Sequence, residues 1–310
     1  MSTPLTAPLG GGPGAKPPET KIPSSPAESD TLSVVVVSYN VAPLLTRCLD
    51  SILARPLPGM DVLVVDNAST DGSADLVRER FPTVTLLANS HNLGFGAACN
   101  QGVRHSGGEY VLFVNPDAEV QGDSLAGMVR FLSIRPRAAV AGGRLRYADG
   151  TFQDSAFRFP SLAQVFLDYF PLHGRLQGSR LNGRYPREWD GSAFQIDFPL
   201  GAFFAVRREA TREVGLFDEG YFMYVEEVDW CYRFKRAGWE VWHCPDALAV
   251  HHGGRSTAQR PAAMQAELQR SRRRFYRRHY SPGFRLAAEA LTLAWHADRG
   301  LRARLGWPAR

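Results

Sequence analysis

Four short apolar runs, each closed by an Asn or Asp, constrain this chain more than any other feature. They are SVVVVSYN (33–40), DVLVVDN (61–67), TVTLLAN (83–89) and EYVLFVNPD (109–117). Continuous β-branched runs of this length are expected of strands covered on both faces. Between the first two, Leu44, Leu45, Cys48, Leu49, Ile52 and Leu53 recur at helical spacing, and 73–81 and 97–103 read as further helices. Strands alternating with helices predict an α/β fold with a Rossmann-like, mostly parallel central sheet flanked by helices. Ligands on such sheets bind beyond the carboxyl ends of the strands. Asn40, Asp66, Asn67, Asn115 and Asp117 all lie at those ends.

Past residue 140 the pattern becomes mixed. Residues 144–152, with Asp149-Gly150 between extended stretches, read as a hairpin. Residues 198–208, 239–245 and 247–250 read as strands, 226–237 as a helix, and 261–305 as one or two helices broken at Ser281-Pro282-Gly283. Residues 155–195 are aromatic and Gly-rich without a clear period. The first 30 residues hold almost no large apolar side chains and are expected to stay disordered, since they cannot offset their ordering entropy. The expected organisation is that tail, a domain over 31–258 divided near 120, and a basic, amphipathic helical extension over 259–310.

A hydrophobic share of 44% is ample for a core in 310 residues. The net charge of +5 is concentrated at Arg270, Arg272, Arg273, Arg274, Arg277 and Arg278. Such a run is either a solvated helix face or a surface for an anionic membrane, phosphate or nucleic acid. Nucleic acid fits poorly, because few aromatics interleave the arginines and they lie outside the sheet. Cys48, Cys99, Cys231 and Cys244 form no metal-binding spacing and read as buried thiols of a reducing cytosol. There is no apolar leader and no run of the ~20 apolar residues that a membrane span needs. A cytoplasmic location is expected, with 282–297 (Phe284, Leu286, Leu291, Leu293, Trp295) offering either a packed helix or peripheral membrane contact.

Several residues carry candidate chemistry. Asp66 either caps the turn that follows or accepts hydrogen bonds from a nucleobase or sugar hydroxyl. NLGFGAACNQG (92–102) places Gly94 and Gly96 at a helix mouth, where backbone can approach a phosphate, although it matches no dinucleotide or P-loop spacing. Asp117 is either part of an Asp/Pro turn or, with a diphosphate and one more ligand, part of a Mg²⁺ or Mn²⁺ site. Glu226 and Glu227 open a helix within YFMYVEEVDW (221–230). Acids suit a helix N-terminus, yet an aromatic setting and a neighbouring acid also raise proton affinity as a general base requires. His251 and His252 follow a strand, so one of the pair is expected to face a site.

Together these segments, with GAFFAVRRE, GLFDEGYFMYVEEVDWCYR and HHGGRST, give the chain a resemblance to the inverting glycosyltransferases of family 2, most closely the bacterial rhamnosyltransferase-like branch, from about Leu32 to Thr257. The resemblance implies a GT-A fold and a nucleotide-diphosphate sugar donor, dTDP-L-rhamnose first. It also implies a glycan or polyprenyl-diphosphate-linked acceptor of cell-surface polysaccharide synthesis, possible contact with the inner membrane, and Mg²⁺ or Mn²⁺. By the same resemblance Ser38, Tyr39, Asn40, Asp66, Asn67, Asn92, Gly94 and Asn115 line the donor, and Asp117 and His251 hold the metal. Asn115 departs from the family's acidic position, leaving Asp117 as the main carboxylate. Glu227 is the expected base with Glu226 as its partner, and Gly201, Ala202 and Trp230 lie on the acceptor side. Inversion then requires one displacement and no covalent nucleophile.

A non-catalytic sugar-nucleotide scaffold could dispense with the 226–227 pair. A sugar-nucleotidyltransferase would need a Gly/Arg-rich triphosphate loop with a lysine near the N-terminus, which is absent.

Overall fold

A computed structural model describes residues 30–185, 191–253 and 261–305. The expected N-terminal tail and the 254–257 end of HHGGRST lie outside the described residues. The first half alternates as the sequence predicts: β1 (Leu32–Ser38), α1 (Ala42–Leu53), β2 (Asp61–Asp66), α2 (Ser73–Arg80), β3 (Thr85–Ala88), α3 (Phe95–Arg104) and β4 (Tyr110–Val114). Next come β5 (Ala118–Gln121), α4 (Ser124–Ser133), β6 (Ala138–Arg146), β7 (Phe152–Gln153), β8 (Ala156–Phe157), α5 (Leu162–Tyr169) and α6 (Gly174–Gln177). The chain continues through β9 (Phe194–Gln195), β10 (Phe198–Pro199), β11 (Phe203–Arg207), α7 (Arg208–Val214), α8 (Glu226–Arg236), β12 (Glu240–His251), α9 (Pro261–His279) and α10 (Pro282–Leu305).

The main sheet runs β3-β2-β1-β4-β11-β6-β12-β5. Strands β1 to β4 are mutually parallel, β11 is antiparallel to both β4 and β6, and β12 returns parallel to β6. The antiparallel β11 therefore begins at the edge where β1, β2, β4, β6 and β12 end. That edge collects Ser38, Asp66, Asn115, Gly201 and His251 from segments far apart in sequence.

The uninterrupted valine run of β1 has a simple cause. Val34 and Val36 pack with α1 and α4 (Leu45, Leu49, Met128) on one face. Val35 and Val37 pack with α3 and α8 (Cys99, Val103, Trp230, Phe234) on the other. All four cysteines are buried and free, as expected.

Three readings of the sequence change. The 239–245 and 247–250 strands are one strand, β12, whose pairing with β6 shifts register at a bulge between Cys244 and Leu248. The 198–208 run is broken at Leu200–Ala202, and only its second part joins the main sheet. The arginines of α9 are not simply solvated. Arg272 pairs with Asp168, Arg273 with Glu289, and Arg274 and Arg278 with Asp218. The hairpin at 144–152 forms as read, with Gly150 at φ 81° and the Tyr147 amide donating to Thr151 at 2.9 Å.

Asp229, fully buried on α8, clasps α9 to the body. Its Oδ1 lies 2.7 Å from His279 Nε2 and accepts from the Tyr221 hydroxyl at 3.2 Å, while Oδ2 accepts from Arg233 Nε at 2.8 Å. Burial alone would raise its pKa, but these hydrogen bonds hold it below the usual carboxylate value. A carboxylate depressed in the folded state adds stability above its unfolded pKa and loses it as pH falls through the folded one. Asp229→Asn should therefore lower unfolding stability by about 3 kcal/mol at neutral pH. The deficit should shrink below about pH 4, as thermal melts across pH would show.

Candidate active site

At the carboxyl ends of β1 and β2, Ser38 and Asp66 sit side by side in register. Both are buried, and among the described residues neither Ser38 Oγ nor Asp66 Oδ1 has a hydrogen-bond partner. The second oxygen, Asp66 Oδ2, accepts from the Ser69 amide at 2.9 Å. One oxygen thus closes the turn, as the capping reading expects, and the other stays open. Leaving buried polar atoms unpaired costs about 1–3 kcal/mol each, which a bound ligand would recover.

The loops above this pair are tied to one another. Asn40, at φ 53°, donates its amide to Ser69 Oγ (3.0 Å) and accepts from the Thr70 amide (2.7 Å). Tyr39 beside it is partly exposed. Asp71 links two helix starts, accepting from the Ala42 amide of α1 at 2.8 Å and from the Ser73 amide of α2 at 3.1 Å. Asn67 is committed to structure, donating to the Gly94 carbonyl at 3.2 Å and accepting from Asn89 at 3.0 Å. Asn92 Oδ1 accepts from the Gly94 amide at 2.9 Å. Gly94 also packs closely on the 222 segment: a Cβ there would lie 2.3 Å from the Phe222 carbonyl oxygen. The Phe95 amide donates to that same carbonyl at 2.9 Å, so the mouth of α3 is pinned to the loop that leads into α8.

Asp117 and His251 meet because the end of β12 pairs with β5, placing His251 opposite Ala118. The His251 Nε2 lies 3.3 Å from Asp117 Oδ1 yet makes no hydrogen bond among the described residues. Its Nδ1 is 3.1 Å from Gln153 Oε1, a contact that orients the ring. The other ring nitrogen then faces a buried carboxylate, an arrangement that a bound cation would suit. An imidazole oriented by an outer hydrogen bond, next to one carboxylate, is also a donor set that suits Mg²⁺ or Mn²⁺ completed by phosphate oxygens. No cluster of three or more such ligands exists among the described residues. His252 points the other way, 2.7 Å from Glu119, so one member of the pair faces the site. Asn115 joins this edge to β11, its amide donating to the Ala202 carbonyl at 2.9 Å.

The acid pair stands on strained backbone. Tyr224 and Val225 have φ of 68° and 70°, left-handed values that are unfavourable for a β-branched residue. They turn the chain so that Glu226 and Glu227 open α8. Glu226 is buried under α3, its Cβ within 3.6 Å of where a Gly96 Cβ would stand, and its Oε2 has no partner among the described residues. Burial first, and the neighbouring Glu227 second, push its pKa well above the carboxylate range. Glu227 is half-buried, and its carboxyl lies beside Gly201, where a Cβ would meet Oε1 at 3.6 Å. Burial pushes Glu227 up to about 7, opposed by backbone N–H groups of its own helix start and of Gly201. Proton exchange near neutral pH is within its reach.

Two residues expected on the acceptor side are packed inward. Trp230 is 1% exposed, packs edge-on and tilted among Phe113, Phe217 and Phe234, and donates to the Gly215 carbonyl at 2.8 Å. The Ala202 side chain is also buried. Sequence reasoning did not find Gln153, which a short hairpin strand carries without any motif, or the clasp on Asp229, for which Arg233 four residues on was a usable signal.

Against known proteins, the family profile described as "Glycosyl transferase family 2" matches residues 33–215. An N-acetylglucosaminyl-diphospho-decaprenol L-rhamnosyltransferase of Mycobacterium tuberculosis is 33% identical over 251 residues, covering 76% of this chain and 80% of that protein. Rhamnosyltransferase WbbL of Escherichia coli is 30% identical over 151 residues, covering 46% of this chain and 52% of its own. Among solved structures, mannosyltransferase PcManGT from Pyrobaculum calidifontis, in complex with GDP-Man and Mn²⁺, superposes with a TM-score of 0.58 at 21% identity over 94% of this chain and 80% of that one. GalNAc-T7 with UDP, GalNAc and Mn²⁺ gives 0.54 at 18% identity, over 71% of this chain and 43% of that one. The fold is that of the GT-A glycosyltransferases.

A carboxyl group held protonated by burial penalises the folded state at neutral pH, because the unfolded chain ionises it freely. Glu226→Gln should therefore raise the melting temperature, with a larger gain at pH 8 than at pH 5. Equal gains at both pH values would show that Glu226 is ionised in place.

Proposed function

The chain belongs to glycosyltransferase family 2, a nucleotide-sugar-dependent transferase, and from that premise we propose that it moves L-rhamnose from a nucleotide-diphosphate donor, dTDP-rhamnose first, to a hydroxyl of a polyprenyl-diphosphate-linked glycan by one inverting displacement. The observation that carries the reading is Glu227, presented at the start of α8 with a proton affinity matched to neutral pH and lying against the same turn that is bonded to Asn115. The rhamnosyl and lipid-linked specifics are supported by the names of the relatives in M. tuberculosis and E. coli.

Glu227 removes the acceptor hydroxyl proton as that oxygen bonds to the anomeric carbon. The bond from the anomeric carbon to the phosphate oxygen breaks, and its electron pair leaves with the nucleoside diphosphate. Asp66 Oδ1 accepts from an N–H of the base, and Ser38 Oγ, Tyr39, Asn40, Asn92, Gly94 and Asn115 line the nucleoside and phosphates. Mg²⁺ or Mn²⁺, held by Asp117 and His251, would supply neutralisation of charge on the departing diphosphate. Glu226 stays protonated beneath Glu227, so the base alone carries charge. A non-catalytic scaffold would not need a strained turn that presents two acids.

Glu227→Gln should lower kcat by about 10³-fold while leaving the donor Kd nearly unchanged, as single-turnover assays and calorimetry would measure. Wild-type kcat/KM should rise with pH and level off near the Glu227 value of about 7. Asp117→Asn and His251→Gln should each weaken Mn²⁺-dependent donor binding by at least about tenfold, following loss of one ligand or its partner. Unchanged metal dependence in His251→Gln would remove it from the site.

A further inference from the structure

Helices α9 and α10 leave a surface that the transferase chemistry does not use. Of the ten large hydrophobic residues exposed among the described residues, four lie on α10: Leu286 (74% exposed), Leu293 (61%), Leu301 (55%) and Leu305 (52%). Leu286, Leu293 and Leu301 recur seven and eight residues apart, so they share one side of the helix. Ala290, Ala294 and Ala297, also exposed, fill the intervals. The opposite side is packed: Ala288 and Thr292 are buried, and Trp295 stacks on Tyr169 of α5 at 5.2 Å. The stripe thus remains after α10 has buried its other face.

Charge surrounds the stripe. Between α9 and α10 lies a cavity of about 380 Å³ lined by Tyr276, Arg277, Arg285, Leu286 and Ala288 among others. Arg277 and Arg285 make no ion pair with a described residue, unlike the other arginines of this cavity, Arg272 and Arg273. Exposed Arg299 and Arg304 flank the far end. A second copy of the chain would bring these guanidinium groups together and be repelled. A surface of lipid phosphates complements them while the leucines enter the acyl boundary.

We propose that α10, with the rim formed by Arg277 and Arg285, docks the enzyme on an anionic phospholipid surface. α9 then carries the docked orientation to the active site. Ser271 Oγ donates to the Met223 carbonyl at 2.8 Å, and Arg274 and Arg278 pair with Asp218, so α9 grips both ends of the loop preceding Glu226. Membrane docking serves the reading of a lipid-linked acceptor, and rests on it for its purpose only.

The test is co-sedimentation of the purified full chain with phosphatidylcholine vesicles, with and without phosphatidylglycerol. The wild type should pellet with the anionic vesicles only, and less as salt increases. Leu286→Asp/Leu293→Asp should lower the partition coefficient by at least about tenfold. The double variant should keep wild-type circular dichroism and wild-type turnover on a short-tailed, water-soluble acceptor. Arg277→Ala/Arg285→Ala should weaken binding to anionic vesicles and flatten its salt dependence. The proposal is overturned if the wild type stays in the supernatant at low salt, or if Leu286→Asp/Leu293→Asp pellets like the wild type. It is also overturned if that variant instead converts a dimer to a monomer in analytical ultracentrifugation. Vesicle binding needs no turnover, so an inactive protein that still pellets would defeat the transferase reading and leave the docking intact.

Discussion

Burial raises the proton affinity of two adjacent carboxyl groups at the start of α8, and the site is organised around them. Glu226, sealed beneath α3, keeps its proton, which leaves Glu227 at the open side of the helix start with an affinity near neutrality. A helix N-terminus alone would have depressed both. Here desolvation outweighs the opposing backbone N–H groups. The left-handed Tyr224-Val225 turn and the unpaired Glu226 oxygen are destabilising, and they persist because α8 is packed against the sheet through Val228, Trp230 and Phe234.

That packing comes from a sheet whose edge is an assembly point. Parallel β1, β2 and β4 deliver Ser38, Asp66 and Asn115, the antiparallel β11 begins with Gly201 at the same edge, and β12 ends there with His251. The N-termini of α3 and α8 close over it, joined through Gly94 and Phe222. The Asp229 and Asp218 clasps hold α9 against this arrangement, so the C-terminal helices belong to the geometry of the site and are not a loose appendage.

Much of this was legible in the residues. The valine runs required cover on both faces, and the Asn and Asp at their ends fall on the one sheet edge where those strands finish. The Glu pair in an aromatic stretch carried its own argument from desolvation. Other parts could not be read. Gln153 reaches His251 only because a hairpin folds it against β6, across which β12 lies, and nothing in a two-residue strand announces that. Trp230 looked available beside the acids, but helical period turns it away from the cleft and into the core. The bulge in β12 hid a single strand behind what read as two, because residues in a bulge break the alternation that marks a strand.

The most direct test of this convergence is a crystal structure of the full chain with a non-transferable nucleotide-sugar analogue and Mn²⁺. The base should lie against Asp66 and Ser38, the diphosphate and cation between Asp117 and His251, and the anomeric carbon should face Glu227. A nucleotide seated elsewhere, or a sugar turned away from Glu227, would contradict the convergence of these residues on one site.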